Sequence, residues 1–295
     1  MGGVRVGGVW LDRGVLCYAH QGGAREGPSS TLWAMERAVA AGADALELDV
    51  HASSDGQVVV CHDATVDRTT DGHGAISALT LAEVRALDNA HWWVPGSVVA
   101  PGRPPADYPL RGRAPSDRSL GVATLDEVLE AFPATVLNLD IKQTAPAVPA
   151  YEETVVRILR AHGRADGVIV ASFNDASTAA VRALAPDIAT SAGTLGVAAF
   201  WRAAHAAEDP GPVPYVALQV PVETGGVTVC DDVLVDTAHR AGVAVHAWTI
   251  DDASEMARLI DLGVDGIMSD LPSVAVEVIA GAGARWKPPD LNPDS

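Results

Sequence analysis

Basic residues are scarce in this chain. Lys and Arg number 20 against 38 Asp and Glu in 295 residues, a formal charge of −18. A nucleic-acid partner wants a basic stripe and an anionic membrane surface wants a polybasic patch, so neither partner is expected. No stretch approaches the roughly 18 consecutive apolar residues of a membrane span, and no stable membrane insertion is expected. The opening residues Met1 to Gly8 lack the apolar core of a secretory leader, which points to a cytoplasmic location. Cysteine is limited to Cys17, Cys61 and Cys230. The count is odd, the spacing is unlike that of metal ligands, and each lies in or beside an apolar run. They read as small buried hydrophobes in a reducing compartment. No Gly-x-Gly-x-x-Gly follows the first strand-like segment, and no internal repeat appears.

What the chain does have is alternation. Strand-like runs begin near residues 14, 45, 135, 167, 188, 215, 243 and 265. Nearly all are followed by segments of helical periodicity, among them 31–41, 125–131, 151–162, 175–184 and 252–262. Eight such units in a chain near the usual ~250 residues predict a TIM (β/α)8 barrel. The runner-up is an open doubly wound sheet, which the missing glycine fingerprint disfavours. The expected organisation is a single barrel domain over 14–283, with residues 284–295 as a frayed tail. Residues 64–122 break the rhythm and read as an insertion rich in turns.

The most informative run is Glu47-Leu48-Asp49-Val50. Alternate side chains on a strand share a face, so Glu47 and Asp49 point one way and Leu48 and Val50 the other. Two carboxylates turned into an apolar fold face a large desolvation cost, and a divalent cation held by oxygen ligands would relieve it. The chain turns at Asp55-Gly56 and returns through an apolar run to His62-Asp63, which brings an imidazole back toward the pair. Active sites of TIM barrels lie at the carboxyl ends of the strands. There this chain places His20, Glu47 and Asp49, Asp140 and Lys142, Ser172, and Trp248-Thr249. Singly, each has a structural explanation. Together, three carboxylates, two histidines and a lysine suit Mg²⁺- or Ca²⁺-assisted phosphodiester cleavage.

These residues carry a resemblance. Ala19-His20-Gln21-Gly22-Gly23, Glu47-Leu48-Asp49-Val50, Val59-Val60-Cys61-His62-Asp63, Asp67 to Gly74, Asp140-Ile141-Lys142, Trp248-Thr249 and Leu262 to Pro272 stand in the order of the glycerophosphodiester phosphodiesterase family. The sequence is similar to that family from about residue 15 to 280. The resemblance implies a TIM barrel with a small inserted region and hydrolysis of glycerophosphodiesters to glycerol 3-phosphate and an alcohol. It implies His20 and His62 as the acid/base pair. One would deprotonate the glycerol 2-hydroxyl that attacks phosphorus, and the other would protonate the leaving alcohol. It implies Glu47, Asp49 and Asp140 as holders of a divalent cation, Mg²⁺ or Ca²⁺, with Lys142 on the phosphate and Trp248 near the glycerol. Gln21, also expected to meet the substrate, stands where the family usually has Arg. Ser29 and Ser30 stand where it usually has Glu and Asn, and Asp140 where Glu is commoner. A lysophospholipid substrate, a reaction that stops at a cyclic phosphate, and a catalytically weak barrel that binds a phospho-ligand are the alternatives. Among the remaining residues, His51 shares the Glu47/Asp49 face and reads as second to the site or solvent-exposed. Arg68 reads as a loop-fixing residue, and Trp92-Trp93 as packing of the insertion.

Overall fold

The computed structural model describes residues 10–288. In chain order the strands are β1 (Leu16–His20), β2 (Ala45–Ala52), β3 (Val58–Val60), β4 (Val136–Ile141), β5 (Val168–Ala171), β6 (Ala189–Thr190), β7 (Ala217–Pro221), β8 (Glu223–Thr224), β9 (Val227–Thr228), β10 (Ala244–Trp248) and β11 (Gly266–Ser269). The helices are α1 (Leu32–Ala41), α2 (Leu81–Arg85), α3 (Leu125–Ala131), α4 (Glu152–Ala161), α5 (Asp175–Leu184), α6 (Thr194–His205), α7 (Asp232–Ala241), α8 (Ala253–Leu262) and α9 (Pro272–Gly281). Eight of the strands pair in parallel in the order β6-β5-β4-β2-β1-β11-β10-β7. A bridge between Ser191 and Ala217 joins the two ends of that series. Ala192 N donates to Ala217 O at 2.9 Å across the same seam. This is the (β/α)8 barrel, and the open-sheet alternative falls because the first and last members of the series meet. Every barrel strand starts within two residues of its sequence-predicted position.

Two apolar clusters explain why the strands are buried on both faces, as parallel strands must be. Leu46, Leu48 and Val50 of β2 join Leu137, Leu139 and Ile141 of β4 in the layer between barrel and helices. Ala45 of β2 and Val136 of β4 instead join Leu16, Tyr18, Ile169 and Met268 in the lumen. Strand parity then sends Glu47, Asp49, Asn138 and Asp140 into the lumen, toward the carboxyl ends. The helices are fixed by capping as the sequence predicts. At α3, Thr124 Oγ1 accepts from Glu127 N while the Glu127 carboxylate accepts from Thr124 N at 2.8 Å. Such a cap is worth about 1 kcal/mol.

β3 pairs antiparallel with the end of β2, Val50 opposite Val60 and Ala52 opposite Val58. The insertion that follows holds two small apolar clusters. One gathers Val59, Val66, Ile76 and Val84. The other gathers Trp93, Leu110 and Leu120, with Trp33 of α1 packed on it. Trp93 Nε1 donates to Ala24 O and Trp92 Nε1 to Thr70 O. Both tryptophans therefore secure the insertion.

Two features depart from expectation. The β8–β9 hairpin after β7 was not predicted, although Gly225-Gly226 between two short runs is a two-residue hairpin signal. Residues 284–288, expected to begin a frayed tail, pair with the start of the barrel. Val15 N donates to Ala284 O at 2.7 Å and Lys287 N to Arg13 O at 2.8 Å. The remainder of that tail, 289–295, lies outside the described residues. Among the described residues no helix is long and apolar enough to cross a membrane. The three cysteines are free and buried, and burial pushes the Cys17 and Cys61 thiols up to about 12.

Candidate active site

At the carboxyl ends of the barrel strands opens a cavity of about 580 Å³. His20, Glu47, His62, Asp140, Lys142 and Trp248 all line it. The other two sequence-predicted site residues stand behind its wall. Asp49 is 1 % exposed and lies under Lys142, and Gln21 is 5 % exposed.

His20 ends β1, and the chain must turn away at once to clear the mouth. Gly23 makes that turn at φ +89°, and a Cβ there would meet Pro272 Cγ at 2.8 Å. The close approach draws the loop after β11 over the loop after β1, and Arg25 N donates to Asp270 O. Asp270 is thereby brought to His20, with Oδ1 2.6 Å from Nδ1. The Nε2 of His20 lies 3.8 Å from Glu47 Oε2. Burial works against charge on this imidazole. The Glu47 carboxylate and the Asp270 hydrogen bond outweigh it, and the His20 pKa rises to about 9.

His62 arrives on the return of the β2–β3 hairpin. Its Nδ1 is 2.7 Å from Asp63 Oδ1, and Arg68 closes a fork on the same carboxylate at 2.6 and 3.0 Å. The hydrogen bond with His62, aided by the Arg68 guanidinium, holds the Asp63 carboxyl well below the usual range. His51, one reading of which was solvent exposure, is 3 % exposed. Its Nε2 faces His62 O at 3.3 Å, behind the second imidazole. The centroids of the His20 and His62 rings are 6.4 Å apart.

The acids stand beside the imidazoles. Lys142 Nζ is 2.9 Å from Asp49 Oδ1 and 3.1 Å from Asp140 Oδ2. Even so, both Asp49 carboxylate oxygens and Asp140 Oδ1 are buried with no directed hydrogen bond. Burial, with Asp49 adding to it, pushes the Glu47 carboxyl up to about 8, and burial also raises Asp140. Burial opposes charge on Lys142, but Asp49 and Asp140 overcome it and raise the ammonium pKa. One lysine cannot offset three buried carboxylates. Three clustered carboxyl groups, with oxygens that lack directed hydrogen bonds, suit a hard dication, which would take the place of the proton Glu47 otherwise holds. As they stand, no three His, Cys, Asp or Glu side chains among the described residues form a closed metal set. Lys142 lies on two of the three acids.

Gln21 is tied into this group rather than facing open space. Its backbone N donates to Glu47 Oε2 at 3.2 Å, and Ser29 Oγ donates to its Oε1 at 2.6 Å. That fixes the amide with Nε2 3.4 Å from His20 Nε2. Ser29 and Ser30 are buried beside Gln21, and Ser29 fixes the site's wall. Across the mouth Trp248 packs edge-on to Phe173 at 5.8 Å, and Lys142 Nζ lies 5.5 Å from the Phe173 ring centre.

Asp63, Asp270 and Phe173 join the site although the sequence reading assigns them no role. The signal for Asp63 was its adjacency to His62. Nothing local marks Asp270, which reaches His20 across 250 residues.

The geometry has counterparts. Residues 20–274 match the model of the Glycerophosphoryl diester phosphodiesterase family. A glycerophosphodiester phosphodiesterase of Caldanaerobacter subterraneus is 31% identical over 273 residues, covering 91% of this chain and 99% of that protein. One of Bacillus subtilis is 29% identical over 281 residues, covering 90% and 87%. Among solved structures, a phosphodiesterase of Oleispira antarctica in complex with the product sn-glycerol-3-phosphate is 25% identical. It has a TM-score of 0.69 and covers 90% of this chain and 97% of that one. On this similarity over nearly its whole length, the chain belongs to the glycerophosphoryl diester phosphodiesterase family.

Proposed function

We propose that the protein is a divalent-cation-dependent phosphodiesterase that cleaves glycerophosphodiesters to glycerol 3-phosphate and an alcohol. One observation carries the reading. Two imidazoles 6.4 Å apart, each tied through Nδ1 to its own carboxylate, share one cavity with Glu47, Asp140 and Lys142. Tying Nδ1 orients each ring and leaves Nε2 for proton transfer.

The surroundings favour His20 as the first acid and His62 as the first base. His20 faces Glu47 and Asp270 and keeps its proton. The carboxylate facing His62 is shared with Arg68. In this mechanism His62 takes the proton of the glycerol 2-hydroxyl as that oxygen bonds to phosphorus. The bond from phosphorus to the alcohol oxygen breaks, and His20 protonates the departing oxygen. Water then opens the cyclic phosphate with the two roles exchanged. Lys142 supplies positive charge beside the phosphoryl group, and Trp248 borders the glycerol. Glu47, Asp49 and Asp140 would hold Mg²⁺ or Ca²⁺, which when bound offsets their repulsion and polarises the phosphoryl oxygens. The free, buried cysteines suit a cytoplasmic setting.

The test is glycerophosphocholine incubated with the purified protein and either cation, followed by phosphorus NMR. Glycerol 3-phosphate should accumulate, and a chelator should stop it. Turnover that survives chelation removes the cation from the mechanism. A cyclic phosphate as end product removes the hydrolytic second step. Binding of glycerol 3-phosphate without any turnover leaves a phospho-ligand-binding barrel.

A further inference from the structure

Three residues of the insertion bond to the loop that carries the chain away from His20. Asn89 Nδ2 donates to Ser29 O at 3.0 Å, and Trp93 Nε1 donates to Ala24 O at 3.2 Å. Gly96 N donates to Arg25 O at 2.9 Å. Gly96 stands at φ +83° in the turn from Val94 to Ser97, the third turn position that favours glycine. Its carbonyl accepts from Arg25 Nε at 3.1 Å. The turn therefore holds Arg25 by both its backbone and its side chain.

From there the guanidinium reaches the opposite way. Arg25 Nη1 lies 3.2 Å from Asp251 Oδ2, in the loop after β10. The other oxygen of Asp251 accepts from Asp270 N and from Ser269 Oγ, each at 2.9 Å. Arg25 N also donates to Asp270 O at 3.1 Å. Arg25 thus holds Asp270 twice, directly through its own backbone and through Asp251 with its side chain. The carboxylate so placed is the one 2.6 Å from His20 Nδ1. Two other roles fit Arg25 less well. It does not line the cavity, which argues against a contact with the phosphate. Its side chain is 38 % exposed and that of Asp251 24 %, and an ion pair so open adds little to stability. Placement is what the bonds supply, and a misplacement of ~1 Å can cost about a hundredfold in rate.

We propose that Arg25 is a positioning residue for His20: it ties the insertion to Asp251 and so fixes the Asp270 carboxylate against the imidazole. The insertion is then a strut of the acid arm. The other arm is held locally, its Asp63 forked by Arg68 five residues along. The inference rests on the phosphodiesterase reading for its kinetic outcome, and on the His20–Asp270 geometry alone for its spectroscopic one.

Arg25→Met keeps the apolar stem and removes both bonds of the guanidinium. In proton NMR of histidine-labelled protein, the His20 Nδ1 proton in its 2.6 Å bond should give a downfield signal, assigned by its loss in His20→Asn. Arg25→Met should shift or broaden that signal and leave the matching His62 signal in place. Arg25→Lys, which keeps a charge for Asp251, should restore most of it. With the cation present, Arg25→Met should lower kcat on glycerophosphocholine about tenfold, with KM within about twofold. A nitrophenyl diester, whose phenolate departs without a proton, should lose no more than about twofold. Trp93→Phe removes the bond to Ala24 O and keeps a ring in the cluster, and it should repeat the pattern at about two- to threefold. An unmoved His20 signal in Arg25→Met overturns the proposal. Equal losses on both diesters also overturn it, and make Arg25 a general support of the fold. A raised KM at constant kcat overturns it as well, and puts Arg25 on the substrate. A moved His20 signal in a protein that turns over no diester supports the positioning and strikes the catalytic reading instead.

Discussion

The two histidine arms of this site use the same device in different surroundings. Each imidazole has Nδ1 against a carboxylate, Asp270 for His20 at 2.6 Å and Asp63 for His62 at 2.7 Å. Asp63 also bears the Arg68 fork, so its charge is divided between a guanidinium and an imidazole. Asp270 instead takes a backbone link, its N donating to Asp251 Oδ1, and Glu47 stands on the far side of the His20 ring. What else touches the carboxylate, and what lies beyond the ring, therefore differs between the two arms.

The largest test of this contrast is removal of either ring. His20→Ala and His62→Ala should each lower kcat by about 10²- to 10⁴-fold on glycerophosphocholine. A substrate with a good leaving group, such as a nitrophenyl diester, should recover activity in His20→Ala far more than in His62→Ala. Equal recovery would break the division into first acid and first base.

Stability against pH gives a second, smaller test. In cation-free protein the folded state holds the His20 proton to about pH 9 against an ordinary 6.5. That contribution is complete below pH 6.5 and lost as pH rises through 9. Glu47, raised from 4.5 to about 8, adds a fall that starts earlier, above pH 4.5, and is complete once pH passes 8. Asp63 runs the other way: its depressed carboxyl contributes fully above its ordinary value of 3.8 and loses that contribution on acidification. Melting temperature should therefore decline from about pH 4.5 to 9, with the His20 share confined to pH 6.5–9, and separately in acid below pH 3.8. Asp270→Asn should shrink the alkaline decline, and Asp63→Asn the acid one. If either variant moves both limbs alike, the arms are not electrically distinct.

The smallest effect concerns the wall beside His20. Ser29→Ala removes the 2.6 Å bond that orients Gln21. A loss of about 1 kcal/mol in stability and a few-fold in kcat/KM is expected, with Ser29→Thr restoring most of it. Unfolding in urea alongside steady-state kinetics reads both quantities.

Much of this was legible in the residues. β2 shows why. Its period of two separates Glu47 and Asp49 from Leu48 and Val50, and a buried carboxylate pair has few explanations. His62 was legible because a short hairpin fixes it relative to β2. Asp270 was not, because its partner lies across the chain and Ser269-Asp270-Leu271-Pro272 reads equally well as a helix start. His51 was ambiguous for a related reason: parity gave its face, but only the β3 pairing and the insertion above it bury that face. The apolar wall of the cavity was invisible, since Phe173 follows β5, Val197 and Trp201 lie on α6, and Val227 lies on β9. None of them is unusual where it stands in the chain.

The sequence by itself determined the barrel, the two lumen-facing acid strands and the identity of the histidines, because periodicity, capping and turn chemistry act over a few residues. Tertiary structure decided how the charges were shared. Lys142 lies on Asp49 and Asp140, Arg68 takes part of Asp63, and Asp270 is left to His20. Electrostatic energy falls off with distance in space and with burial, and neither is measured along the chain.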